Sequence, residues 1–72
     1  MVMKTATGPV TGLYIDRSGC YIEVGGEWFL SLSGAAGPVF SLAADARRAG
    51  TGVWLAYDGA NPAREILEIQ SL

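Results

Sequence analysis

The stretch CYIEVGGEWFLSL, residues 20–32, places two runs of strand-forming residues on either side of Gly25-Gly26. Aliphatic and aromatic residues in short runs, broken by glycine, read as a hairpin. The position of the turn decides which side chains go inside. A slip of one residue sends every side chain of a strand to the opposite face. A two-residue turn at Gly25-Gly26 sets Val24 against Glu27, Ile22 against Phe29 and Cys20 against Ser31. Its other face mixes Tyr21 and Glu23 with Trp28, Leu30 and Leu32, so neither face is wholly apolar. A three-residue loop, Gly25-Gly26-Glu27, sets Val24 against Trp28, Ile22 against Leu30 and Cys20 against Leu32. One face is then entirely apolar, and three-residue hairpin loops containing Gly are common. Hydrophobic patterning favours this second register, which turns Tyr21, Glu23 and Phe29 outward.

Upstream, PVTGLYID (residues 9–16) alternates Leu13 and Ile15 with Tyr14 and Asp16 and reads as a strand. Gly12 within it marks a bend or bulge. Asp16-Arg17-Ser18-Gly19 has the Asp-first, Gly-fourth signature of a type I turn. That turn sets Ile15 against Cys20 and Leu13 against Ile22, which puts Tyr14 beside Tyr21 on the outer face. Residues 1–8 are either a frayed tail or the start of the first strand.

Downstream, Pro38 fits the first position of a helix, where its missing N–H costs nothing. Val39, Leu42, Ala43, Ala46 and Ala49 form one apolar stripe. Arg47 and Arg48 suit the negative end of the helix dipole, and Gly50 suits the C-terminal cap. TGVWLAYDG (51–59) is a fourth strand, residues 60–62 a turn, and REILEIQSL (64–72) a fifth strand. The expected architecture is one all-β domain with a single helix, in the order β-β-β-α-β-β. That is the order of a five-stranded OB-fold-like barrel, and closure would remove the sheet edges. An open sheet with one covering helix is the competitor.

A chain of 72 residues buries only about 60% of its unfolded surface, so its stability is marginal, and the common remedies are a disulfide, a metal or association. Cys20 is the only cysteine and there is no histidine, which excludes an intrachain disulfide and a structural zinc site. Association is the remaining remedy, and half of the residues are hydrophobic. The net charge is −2, and the five cations form no run longer than Arg47-Arg48. This balance argues against a nucleic-acid partner. No apolar run approaches the ~20 residues that cross a bilayer, so no membrane insertion is expected. The opening MVMKTATGPV has one Lys and no apolar core. A cytoplasmic setting is therefore the default, with secretion if a leader has been removed.

Catalysis is not expected. No histidine is present for proton transfer near neutrality, and Cys20 falls on the core face, where a thiol is inert packing. The carboxylates stand singly along the chain, and neither a metal-ligand spacing nor a phosphate loop is present; no cofactor is expected. The candidate surface for a ligand or a subunit interface is Tyr14, Tyr21, Glu23 and Phe29, joined by Trp54 on the Asp58 side of its strand. Three readings stay open for it: cross-strand packing alone, a contact between copies of the chain, or stacking on a ligand. Glu23 in its midst would repel phosphate, so a glycan or small neutral ligand fits better than DNA. The favoured function is a non-catalytic binding or assembly module acting as a homo-oligomer. The alternatives are a single-stranded nucleic-acid binder and, more remotely, an enzyme whose site is completed at a subunit interface.

VFSLAADARRAGTGVWLAYDG (39–59), followed by REILEIQSL (64–72), resembles the second half of the B subunits of bacterial AB-type toxins of the subtilase-cytotoxin kind. There too an Ala-rich helix ends at Gly, and the strand after it closes on an aromatic-Asp turn. The resemblance implies an OB-fold, a homopentameric ring with helices around a central pore, and glycan binding on a host cell. It assigns no sugar-binding residue in this chain.

Overall fold

The chain forms β1 (Met3–Gly8), β2 (Val10–Asp16), β3 (Gly19–Val24), β4 (Glu27–Leu32), α1 (Ser33–Ala49), β5 (Val53–Asp58) and β6 (Ile66–Ser71). The structure is a computed structural model and describes residues 1–72. Six strands make two antiparallel three-stranded sheets, β1-β5-β6 and β2-β3-β4, here called sheets A and B. Neither closes on itself. The expected five-stranded OB-fold-like barrel is therefore corrected, and so is the order β-β-β-α-β-β, because residues 3–8 are a strand of their own. The sheets touch where Leu30 N–H donates to Arg64 C=O at 3.1 Å beside a parallel Leu30–Glu65 bridge. On the other side only Pro9 separates β1 from β2. That single residue carries the chain from one sheet to the other, and the missing N–H of proline suits a break in strand pairing.

The register of β3 and β4 is set at their turn. Gly25 and Gly26 have φ of 63° and 82°, two successive positive values as in a type I′ turn. Val24 therefore pairs with Glu27, Ile22 with Phe29 and Cys20 with Ser31. The three-residue loop favoured by hydrophobic patterning is not formed. A I′ turn matches the right-handed twist of its strands, and only glycine enters both positions without strain. Turn geometry thus outweighs the apolar face that the longer loop would have made. The preceding hairpin has the expected register, with Ile15 opposite Cys20, Leu13 opposite Ile22 and Tyr14 opposite Tyr21. Asp16 Oδ1 accepts from Ser18 N–H at 2.8 Å, which secures the turn. The irregularity at Gly12 is a register shift between Val10 and Gly12.

The core joins Val10, Cys20, Ile22, Val24 and Phe29 of sheet B to Val53 and Leu55 of sheet A and to Ala43 and Ala46 of α1. Small side chains at the helix contact let its backbone approach the sheet closely. The helix begins at Ser33, earlier than expected, so Pro38 lies inside it and leaves the Gly34 carbonyl without its usual donor. At the far end, Gly50 is left-handed. Its N–H donates to Arg47 C=O at 3.3 Å, while Thr51 N–H reaches Ala46 C=O at 3.1 Å. These two bonds are a Schellman cap. No helix is long and apolar enough to cross a membrane.

Candidate functional site

Alternation along sheet B, with the register set by Gly25-Gly26, sends Tyr14, Tyr21 and Trp28 to the outer face. Two rows of cross-strand neighbours build the surface. Gly12, Glu23 and Trp28 form one row, and Tyr14, Tyr21 and Leu30 form the next. The first row is unusual because Gly12 has no side chain. A Cβ there would lie 2.7 Å from Cη2 of Trp28, so the indole lies across the sheet with its tip against the glycine backbone. Glu23 sits between them, half-buried, and its Oε1 accepts from the Thr11 hydroxyl at 3.0 Å. In the second row the Tyr14 and Tyr21 ring centroids are 5.6 Å apart with the planes inclined at 54°. That tilted arrangement is favourable for an aromatic pair.

The three rings and Asp16 line an open hollow of about 480 Å³. Tyr14 is 55% exposed and Trp28 is 41% exposed, so the rings are available to a partner. A second hollow of about 270 Å³ lies at the β5–β6 loop, lined by Lys4, Glu27, Tyr57, Asn61 and Arg64 among others. It is polar, and within it Arg64 and Glu27 approach to 3.6 Å.

The structure places the sequence candidates unevenly. Tyr14, Tyr21 and Glu23 share the outer face of sheet B. Phe29 does not. It is fully buried and meets Tyr57 edge-on with centroids 4.8 Å apart. The two-residue turn moves it inward and moves Trp28 out in its place. Trp54 lies in the other sheet, half-buried on the outer face of sheet A between Thr7 and Gln70. The residues missing from the sequence reading are Trp28 and Asp16. The signal for Trp28 was the Gly-Gly pair itself, which favours a two-residue I′ turn.

Cys20 is fully buried in the core, and burial pushes its thiol pKa up. The charged thiolate is disfavoured there, so the sulfur is packing and not a nucleophile. No group of three or more His, Cys, Asp or Glu side chains is placed to hold a metal ion. The outer face of sheet B thus offers aromatic faces, two tyrosine hydroxyls and carboxylates, a set suited to binding by stacking and charge. Comparison with family models, curated proteins and solved structures finds no match for this chain.

Proposed function

We propose that the chain is a non-catalytic binding and assembly module that works as a homo-oligomer. The observation that carries this reading is strand β2. It is the free edge of sheet B, seven residues long, and it leaves large apolar side chains in water. Its face contributes Tyr14 to the aromatic hollow, and its edge is open to a second strand. Free edges are normally blunted by lysine, proline or a bulge. Here the bulge near Thr11 protects only the first residues, and β2 contains neither Lys nor Pro. Ile15, 60% exposed near the end of the strand, is left uncovered.

Antiparallel pairing of β2 with its own copy extends sheet B to a continuous sheet. The two-fold axis lies perpendicular to that sheet, so both aromatic hollows remain on one side. The edge therefore serves assembly while the face serves binding. The ring of five implied by the toxin resemblance came with a barrel that this chain does not form. A single-stranded nucleic acid is the second reading, because three exposed rings suit base stacking. Asp16 at the hollow and Glu23 beside it oppose a phosphate backbone, which makes it the weaker one.

Size-exclusion chromatography with light scattering tests the assembly. A dimer mass is expected at micromolar concentration. Ile15→Lys, a change at a solvated position, is expected to return the monomer. A monomeric parent protein, or an Ile15→Lys variant that stays dimeric, would overturn assembly through this edge.

A further inference from the structure

The hollow on sheet B has a geometry and a charge that narrow its ligand. We propose that it takes the quaternary ammonium group of a small soluble molecule, an inference that rests on the outer face of sheet B being the binding surface. Tyr14 and Tyr21 are inclined at 54°, so their faces do not form one flat platform. Together with Trp28 they line a concavity. A sugar stacks one C–H face of its puckered ring on a flat aromatic surface and needs a surrounding set of hydrogen-bond partners for its hydroxyls. A trimethylammonium group is rounded, presents methyl groups in every direction and makes no hydrogen bond. Tilted rings around a hollow match that shape. The faces of Trp and Tyr are electron-rich and attract a cation lying within about 6 Å of the ring centroid.

Charge points the same way. Asp16 lines the hollow, and its Oδ1 is tied to Ser18 N–H at 2.8 Å, which fixes the carboxylate at the rim. Glu23 adds a second carboxylate in the neighbouring row, held by Thr11. No lysine or arginine lines the hollow. Arg17 follows Asp16 in the turn, exposed and not part of the lining. Of the other cations, Arg64 faces Glu27, Arg48 pairs with Asp45, Arg47 lies in the last turn of α1, and Lys4 lies over Gly59. A cationic ligand therefore meets aromatic faces and carboxylates without a competing positive group in the site.

The test uses Trp54→Phe, which leaves Trp28 as the only indole. Choline chloride is titrated against it at constant ionic strength, alongside 3,3-dimethylbutan-1-ol, the uncharged molecule of the same shape. Saturable change in Trp28 emission is expected with choline at millimolar concentration, and at least about 10-fold weaker binding is expected for the neutral alcohol. Asp16→Asn retains the oxygen that accepts from Ser18 N–H and removes the charge, and a loss of roughly 3- to 10-fold in choline affinity is expected. Equal affinity for choline and the alcohol would overturn the ammonium assignment and leave the face standing as a binding surface. No saturation with either probe up to roughly 100 mM would overturn the ammonium assignment and the binding surface together.

Discussion

The outer faces of the two sheets are built from different residues. Sheet A presents Thr5, Thr7, Asp58, Glu68 and Gln70 around a half-buried Trp54 and a small Ala56, with Met3 exposed at one end. An antiparallel sheet with one solvated side is normally covered with polar residues in this way. Sheet B presents Tyr14, Tyr21 and Trp28 in the corresponding place. Large rings in water contribute nothing to the core, and sheet A shows that this chain has the means to build a polar outer face. The contrast between the sheets, more than the presence of aromatics, is what makes the outer face of sheet B the candidate binding surface.

Neighbouring residues of β4 sharpen the contrast most. Phe29→Ala removes a fully buried ring, and a loss of about 3–5 kcal/mol is expected in urea unfolding, most of the stability of a domain this small. Trp28→Ala, one residue away on the outer face, is expected to cost under about 1 kcal/mol while weakening choline binding, followed by NMR shifts of the tyrosine rings, at least about 10-fold. Equal losses at the two positions would mean that the register is not the one described.

Next in size is Gly19, at the start of β3. A Cβ there would fall 1.9 Å from the Ser31 carbonyl oxygen, and φ is 145°. Gly19→Ala is expected to cost roughly 2–4 kcal/mol, because the obstacle is backbone and cannot rotate away. Gly12→Ala is the counterpart on the outer face. The obstacle there is the tip of the Trp28 indole, 2.7 Å away, and φ is not in the positive region. A stability change within about 1 kcal/mol is expected, accompanied by a shift in Trp28 emission as the ring lifts from the sheet. A large loss of stability with unchanged emission would place the indole elsewhere.

The smallest effect concerns pH. Burial raises the pKa of Cys20 in the folded chain above its ordinary thiol value. The folded state then holds its proton where the unfolded state has released it. The resulting stability is fully present below the ordinary thiol pKa and is lost as pH rises from that value through the raised one. Urea midpoints measured across this alkaline range are expected to fall more steeply for the parent protein than for Cys20→Ala. Parallel slopes would remove the thiol from the pH dependence.

Much of sheet B was legible in the sequence. Asp16-Arg17-Ser18-Gly19 specified its own turn, and the pairing of Tyr14 with Tyr21 followed from it. In the second hairpin, hydrophobic patterning and the two adjacent glycines point to different registers, and the glycines prevail. Patterning fails there because more than one face of β4 is covered. Leu30 lies on the outer face yet is buried, beside the bridge to Glu65. The helix end was legible from Gly50, whereas its start was not, since a proline within the first two turns reads equally well as a beginning. Alternation places Tyr14, Tyr21 and Glu23 on the outer face, as the structure has them; the one-residue difference in register buries Phe29 and turns Trp28 outward.

Short-range signals in the chain specify the strands from residue 10 onward, the turn at Asp16 and the helix cap at Gly50. Each of these depends on a few adjacent residues, so propensity and turn chemistry suffice. Long-range pairing is what makes residues 3–8 a strand, since β1 gains its partner from β5, with Met3 opposite Asp58. Tertiary structure alone divided six strands between two sheets, because partner choice at that separation depends on which apolar faces fit around α1. It also decided which aromatics meet solvent, by weighing the Gly25-Gly26 turn against the burial of Phe29 beside Tyr57.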